Sequence, residues 1–156
     1  MGDDAGQMLA QYRAGLEAQI ALLRQLETVA SRQRTVSESR DFDQLAIESD
    51  RRDRLTRGLV EIEQGLAAGL LLLGASRQSV AKLEGVSEVI VLRRTTANLI
   101  ARILTTDQLS LQSLANAELA HRSALASLER GETTLAAYRK ILTPPLASAA
   151  FLDRLG

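Results

Sequence analysis

Residues 9–30 read LAQYRAGLEAQIALLRQLETVA, and this stretch decides the fold. Leu9, Leu16, Leu23 and Ala30 recur every seventh residue, with Tyr12, Ile20 and Leu26 falling three or four positions on. That spacing puts one apolar stripe along an α-helix, whereas a half-buried strand would alternate every second residue. Outward from it, no proline occurs between Met1 and Thr143; the only two are Pro144 and Pro145. Nothing therefore forces a helix to break across most of the chain. Leu and Ala dominate the apolar residues, and the aromatics are only Tyr12, Phe42, Tyr138 and Phe151. Helices favour that composition and sheets do not. The sequence predicts an all-α protein: an elongated, antiparallel three-helix, coiled-coil-like bundle over residues 1–142, and a short C-terminal tail over 143–156.

The pattern places the first helix from Asp4 to Ser37. A polar break at Ser37–Arg40 follows, then Asp41 as an N-cap with Gln44 three residues on, a pairing that satisfies free amides of a first turn. So short a connection implies an antiparallel neighbour. The second helix is expected from Phe42 to about Gly74, on a stripe of Leu55, Leu59, Ile62, Leu66, Leu73 and Val80. Glu48 and Arg52 occupy its earlier positions and predict a wetter end. Gly58, Gly65, Gly69 and Gly74 are costly inside a helix, which points to close approach of a neighbouring backbone. Residues 74–85 read as a loop around a short helical turn. The third helix is expected from Ser87 to Arg130, facing inward through Val86, Ile90, Ala97, Ile100, Leu104, Leu111, Leu114, Leu125 and Leu128. Gly131 is the expected stop, with a further turn or two over Glu132–Leu142. Helices of this length span roughly 50–60 Å.

At 156 residues, 46% hydrophobic and 24% charged, the chain is long enough to bury a core without staples. Cysteine is absent, which excludes disulfides and thiolate chemistry. Nineteen basic residues balance nineteen acidic ones, so no net field draws it to nucleic acid or an anionic membrane. The N-terminal residues lack the pattern of a signal peptide, and the longest nearly pure apolar run is Leu66–Leu73. The expectation is a cytoplasmic protein with no membrane span and no cofactor.

Catalytic candidates are few. His121 is the only histidine, three residues after Glu118; helical di-iron sites need such a pair from each of two helices. A hydroxyl nucleophile would need the same imidazole as its base. Asp107, on an apolar stripe, could have the raised pKa of a general acid; the favoured reading is a register-setting group, either paired with an arginine or exposed at a splayed end. Arg32, Arg34, Arg40, Arg51, Arg52, Arg54 and Arg57 are interleaved with Glu38, Asp41, Asp43, Glu48, Asp50 and Asp53. Without aromatic platforms, that reads as a solvated, salt-bridged helix pair and not as a phosphate-binding strip. The expectation is a protein that is not an enzyme.

The positive signal is surplus apolar surface. Leu66–Leu73 is apolar on every helix face, so it is covered either by the following loop or by a partner. On the third helix Val89, Leu92, Leu99, Ile103 and Leu109 lie off the expected inward stripe, and two stripes let one helix touch its bundle and a partner together. The tail adds Leu146, Phe151, Leu152 and Leu155. The candidate partner-binding residues are Leu92, Leu99, Ile103, Leu111, Leu114, Leu70, Leu71, Tyr138 and Phe151. The partner is either another protein or a second copy of this chain in a homodimer.

A resemblance sharpens this. A leading helix with Ile-Ala-Leu-Leu-Arg-Gln-Leu-Glu precedes a second helix that opens on Asp-Phe-Asp-Gln-Leu and carries Arg-Arg-Asp-Arg-Leu. A long final helix contains Leu-Arg-Arg-Thr-Thr-Ala-Asn-Leu-Ile, and Ala-Ala-Tyr-Arg follows. The layout resembles the small flagellar type III export chaperones of the hook-filament junction proteins. The resemblance implies a cytoplasmic chaperone that covers the terminal helix of an unassembled flagellar subunit and delivers it for export. The cargo face would lie near Leu99, Ile103, Leu111 and Leu114, and Tyr138 would contact the export machinery.

Overall fold

The computed structural model describes residues 2–75 and 82–142. Three helices hold them: α1 (Gly2–Ser39), α2 (Phe42–Ala75) and α3 (Val86–Leu142), with no strand among the described residues. The chain divides into two compact units, residues 1–114 and 115–156.

The first unit is a three-helix bundle built on α1. Ala5, Leu9, Tyr12, Leu16, Ile20, Leu23, Leu26 and Ala30 are buried, in steps of three and four. The stripe read from residues 9–30 is thus the core. At its far end the same face carries Gln33 and Ser37, also buried. Ser37 is satisfied by its own helix, donating from Oγ to the Gln33 carbonyl at 2.6 Å.

A two-residue corner joins α1 to α2. Arg40 adopts a left-handed φ of 60°, which lets its amide reach the Ser37 carbonyl and the Asp41 amide reach that of Val36. These two bonds cap the last carbonyls of α1. Asp41 then starts α2 as expected, its Oδ1 accepting from the Gln44 amide at 3.1 Å.

Glycines set the approach of α2. A Cβ on Gly15 would lie 2.8 Å from Leu66 Cδ2, while Gly58 and Gly69 face Leu22 and Tyr12 at 3.3 and 3.4 Å. Close approach therefore accounts for Gly58 and Gly69. Gly65 and Gly74 have nothing within 4 Å, and packing does not explain them. These pairs run oppositely along the two helices, so α1 and α2 are antiparallel.

The part of α3 within this unit runs parallel to α1. Arg13 pairs with Glu88 and Glu27 with Arg102, and both pairs have the same offset (88 − 13 and 102 − 27, each 75). Val89 joins Leu9, Tyr12, Leu16 and Leu73 in one cluster; Leu99 and Ile103 join Ile20, Leu23, Leu26 and Ala30 in another. Leu92 bridges the two.

Two expectations are corrected. The inward stripe of α3 is Val89, Leu92, Thr96, Leu99 and Ile103, not the row through Ile90, Leu104 and Leu111. The helix also does not stop at Gly131. That residue keeps a negative φ, and Thr133 and Thr134 bond back to the carbonyls of Glu129 and Arg130 across it. A lone glycine costs about 1 kcal/mol in a helix, and Leu135, Ala136 and Ala137 follow it as strong helix formers. In the second unit every side chain from Glu118 to Arg139 is exposed. Residues 74 and 75, expected in the loop over 74–85, belong to α2, and the inner turn expected there lies outside the described residues.

Candidate partner-binding surface

A helix that buries one stripe normally presents polar residues on its other faces. In the first unit α3 departs from this. Ile90 and Val91 are exposed, and Leu104 and Leu111, seven residues apart, are 61% and 66% exposed. Ala97 fills the intervening position of the same row and is exposed as well. The row is a second apolar seam at coiled-coil spacing, which the bundle leaves largely exposed.

The expected binding residues are divided by the fold. Leu99 and Ile103, at 2% and 4% exposure, are core residues against α1, so neither is part of an open surface. Leu92 and Leu114 are half-buried. Leu111 is open, and so are Leu70 and Leu71 on α2. Tyr138, in the second unit, is exposed, while Phe151 lies outside the described residues. Ile90 and Leu104, which the sequence pattern places inward, belong instead to the open seam.

On α2 the apolar run splits. Leu73 is buried, whereas Leu70, Leu71 and Leu72 are exposed, Leu71 by 77%. Beside it a cleft of about 400 Å³ opens between α1 and α2, lined by Met8, Tyr12, Ile62, Leu66, Gly69 and Leu72 among others. By length and composition α2 is apolar enough to cross a membrane. Counting only the unbroken Leu66–Leu73 run does not show this.

Charged groups fix the registers beside these surfaces. Arg52 holds both oxygens of Asp107, at 2.6 and 2.5 Å, and also donates to Gln33 at 2.8 Å. The hydrogen bond to Asp107 raises the Arg52 pKa. Arg102 reaches Glu27 through Nε at 2.7 Å and lowers its pKa. Glu48 is buried; Oε1 takes Arg51, while Oε2 has no hydrogen-bond partner among the described residues. Glu118 is bound by Arg122, one turn on. Among the described residues no three His, Cys, Asp or Glu gather as a metal would need.

The class defined here is an all-α helical bundle with exposed apolar helix faces among the described residues. Neither known protein families, nor curated proteins, nor solved structures offer a match to this chain.

Proposed function

We propose that this chain is a cytoplasmic, non-enzymatic escort protein that binds an amphipathic helix of a client. The observation that carries the reading is the open seam of Ile90, Ala97, Leu104 and Leu111, set on the helix that also buries Val89, Leu99 and Ile103. Helix-in-groove recognition needs such a row: client side chains at helical spacing displace water from it. Full burial of each large side chain contributes about 1.5–3 kcal/mol.

The resemblance to flagellar export chaperones supplies the client class, an unassembled hook-filament junction subunit whose terminal helix is exposed before polymerisation. A labelled peptide of that terminal helix tests it by fluorescence anisotropy. Binding tighter than about 10 μM is expected, weakened about tenfold or more by Leu104→Glu with Leu111→Glu. A peptide that does not bind the unmodified chain defeats the assignment.

The second reading is a structural homo-oligomer without cargo. Leu128 and Leu135, seven residues apart in the second unit, are both about 70% exposed and lie near exposed Tyr138. That is a row a second copy could cover. Sedimentation showing a stable dimer that binds no client peptide would favour it.

A further inference from the structure

Seven arginines and six acidic residues alternate along the sequence around the α1–α2 corner, yet the fold sorts them unevenly. A cleft of about 460 Å³ opens between α1 and α2, lined by Arg32, Arg51 and Arg54, with Thr28 at its wall and Val29 and Leu55 as apolar ground. No acidic side chain is among its described lining. On α1, Thr28 and Arg32 are one turn apart; on α2, Arg51 and Arg54 are three residues apart and share a face.

The guanidinium groups are only partly engaged. Arg51 gives one nitrogen to Glu48 at 2.7 Å. Arg54 reaches only the Asp50 carbonyl, at 3.4 Å. Arg32 has no ion pair or side-chain hydrogen bond among the described residues. Of the nearby carboxylates, Glu48 holds that one nitrogen of Arg51, while Glu38 takes Arg34 and Asp107 takes Arg52. Three guanidinium groups, one of them shared with Glu48, line one concavity, and an oxyanion placed among them meets donors that the fold leaves open.

We propose that this cleft is a second binding site, for an acidic peptide segment of a partner protein, whose carboxylates meet Arg32, Arg51 and Arg54 while an apolar side chain rests on Val29 and Leu55. The apolar ground favours a peptide over a free oxyanion, which would leave it wet. The lining has no aromatic residue on which a base could stack, and the chain has no net positive charge. The site goes beyond the α3 seam: its described lining comes from α1 and α2 alone, and it stands even where α3 binds nothing.

The probe is a short fluorescein-labelled peptide of glutamates around a single leucine, which offers the α3 seam no row of apolar side chains, titrated against the full chain. Expected is binding that weakens as salt rises from about 0.05 to 0.5 M. Arg32→Glu with Arg54→Glu should weaken it about tenfold, and Leu104→Glu with Leu111→Glu should leave it unchanged. Both arginines are exposed, so circular dichroism should report an intact helical fold. Arg32→Gln with Arg54→Gln repeats the test without added repulsion and should lose several-fold. The proposal is overturned by any of four results: no binding; equal binding of the glutamine version of the peptide; affinity indifferent to both arginine pairs; or an oligonucleotide of matched charge binding as tightly. Inorganic phosphate displacing the peptide far better than chloride at equal ionic strength would reassign the cleft to a free oxyanion, and so overturn it too.

Discussion

Arg52 on α2 grips both carboxylate oxygens of Asp107 on α3 while a third bond ties it to Gln33 on α1. One guanidinium thus fixes the register of all three helices. Both side chains are about one-quarter exposed, which keeps desolvation moderate and the pair fully hydrogen-bonded. Breaking such a pair leaves an uncompensated, half-buried charge. Asp107→Ala should therefore destabilise the bundle by about 1–3 kcal/mol in urea unfolding. Replacing Arg52 and Asp107 together with leucine should recover most of that loss. Additive losses across the double-mutant cycle would show that the bond carries no coupling.

The glycines of the α1–α2 contact should respond in opposite directions. Gly65 faces open space in mid-helix, so Gly65→Ala should add about 0.5–1 kcal/mol by removing unfolded-state freedom. Gly15 lies against Leu66. A branched side chain there forces the helices apart, and Gly15→Val should cost about 1–3 kcal/mol. Chemical denaturation midpoints of the two variants provide the comparison.

Arg40 is strained for a reason unrelated to its charge. At φ 60° its Cβ crowds the following carbonyl, a conformation glycine takes freely. The capping bonds from residues 40 and 41 are made by backbone alone, so they survive substitution. Arg40→Gly should stabilise the chain by about 0.5–1 kcal/mol, and Arg40→Val should destabilise it. Thermal melts measure both.

Glu27 supplies a pH dependence of known sign. The hydrogen bond from Arg102 lowers its pKa below the ordinary 4.5. A depressed carboxylate contributes stability that is complete above the unfolded value and disappears as pH falls through the folded one. The pair is partly exposed, so solvent screening keeps its share small. Glu27→Gln should reduce stability slightly at pH 7 and leave it unchanged below the folded pKa. Urea titrations at pH 7 and pH 3 test this, and an equal loss at both would contradict it.

What the sequence revealed depended on how cleanly each pattern stood alone. The α1 stripe is nearly all apolar and without proline, and it is the core. The Asp41 cap was legible because an Asp followed three residues later by Gln has one obvious local use. Asp107 stood out as a register-setting group because it interrupts an apolar row, but only the fold decides between an arginine partner and an exposed, splayed end. The facing of α3 was not legible. Its inward row includes Thr96 and Ser110, small polar residues that are buried, while the row through Ile90, Leu104 and Leu111 is more uniformly greasy. Counting hydrophobic matches favoured the wrong face. The left-handed turn at Arg40 left no trace because glycine is the usual marker. The arginine cleft was hidden for another reason: alternating charges along a chain say nothing about which of them a helix pair gathers on one side.

The two rows of α3 make opposite predictions for the same chemical change. Leu99 is 2% exposed among Ile20, Leu23, Leu26 and Ala30, so truncation leaves a cavity bordered by residues that cannot all close in. Leu99→Ala should cost about 2–5 kcal/mol. Leu111, twelve residues on, loses only solvent-exposed methyls in Leu111→Ala, and stability should stay within about 0.5 kcal/mol. If the open seam binds a client helix, the ranking reverses in the binding assay: Leu111→Ala weakens the peptide, and a still-folded Leu99→Val leaves it unchanged. Equal stability losses at the two leucines would place both rows against other helices and remove the free surface on which client binding depends.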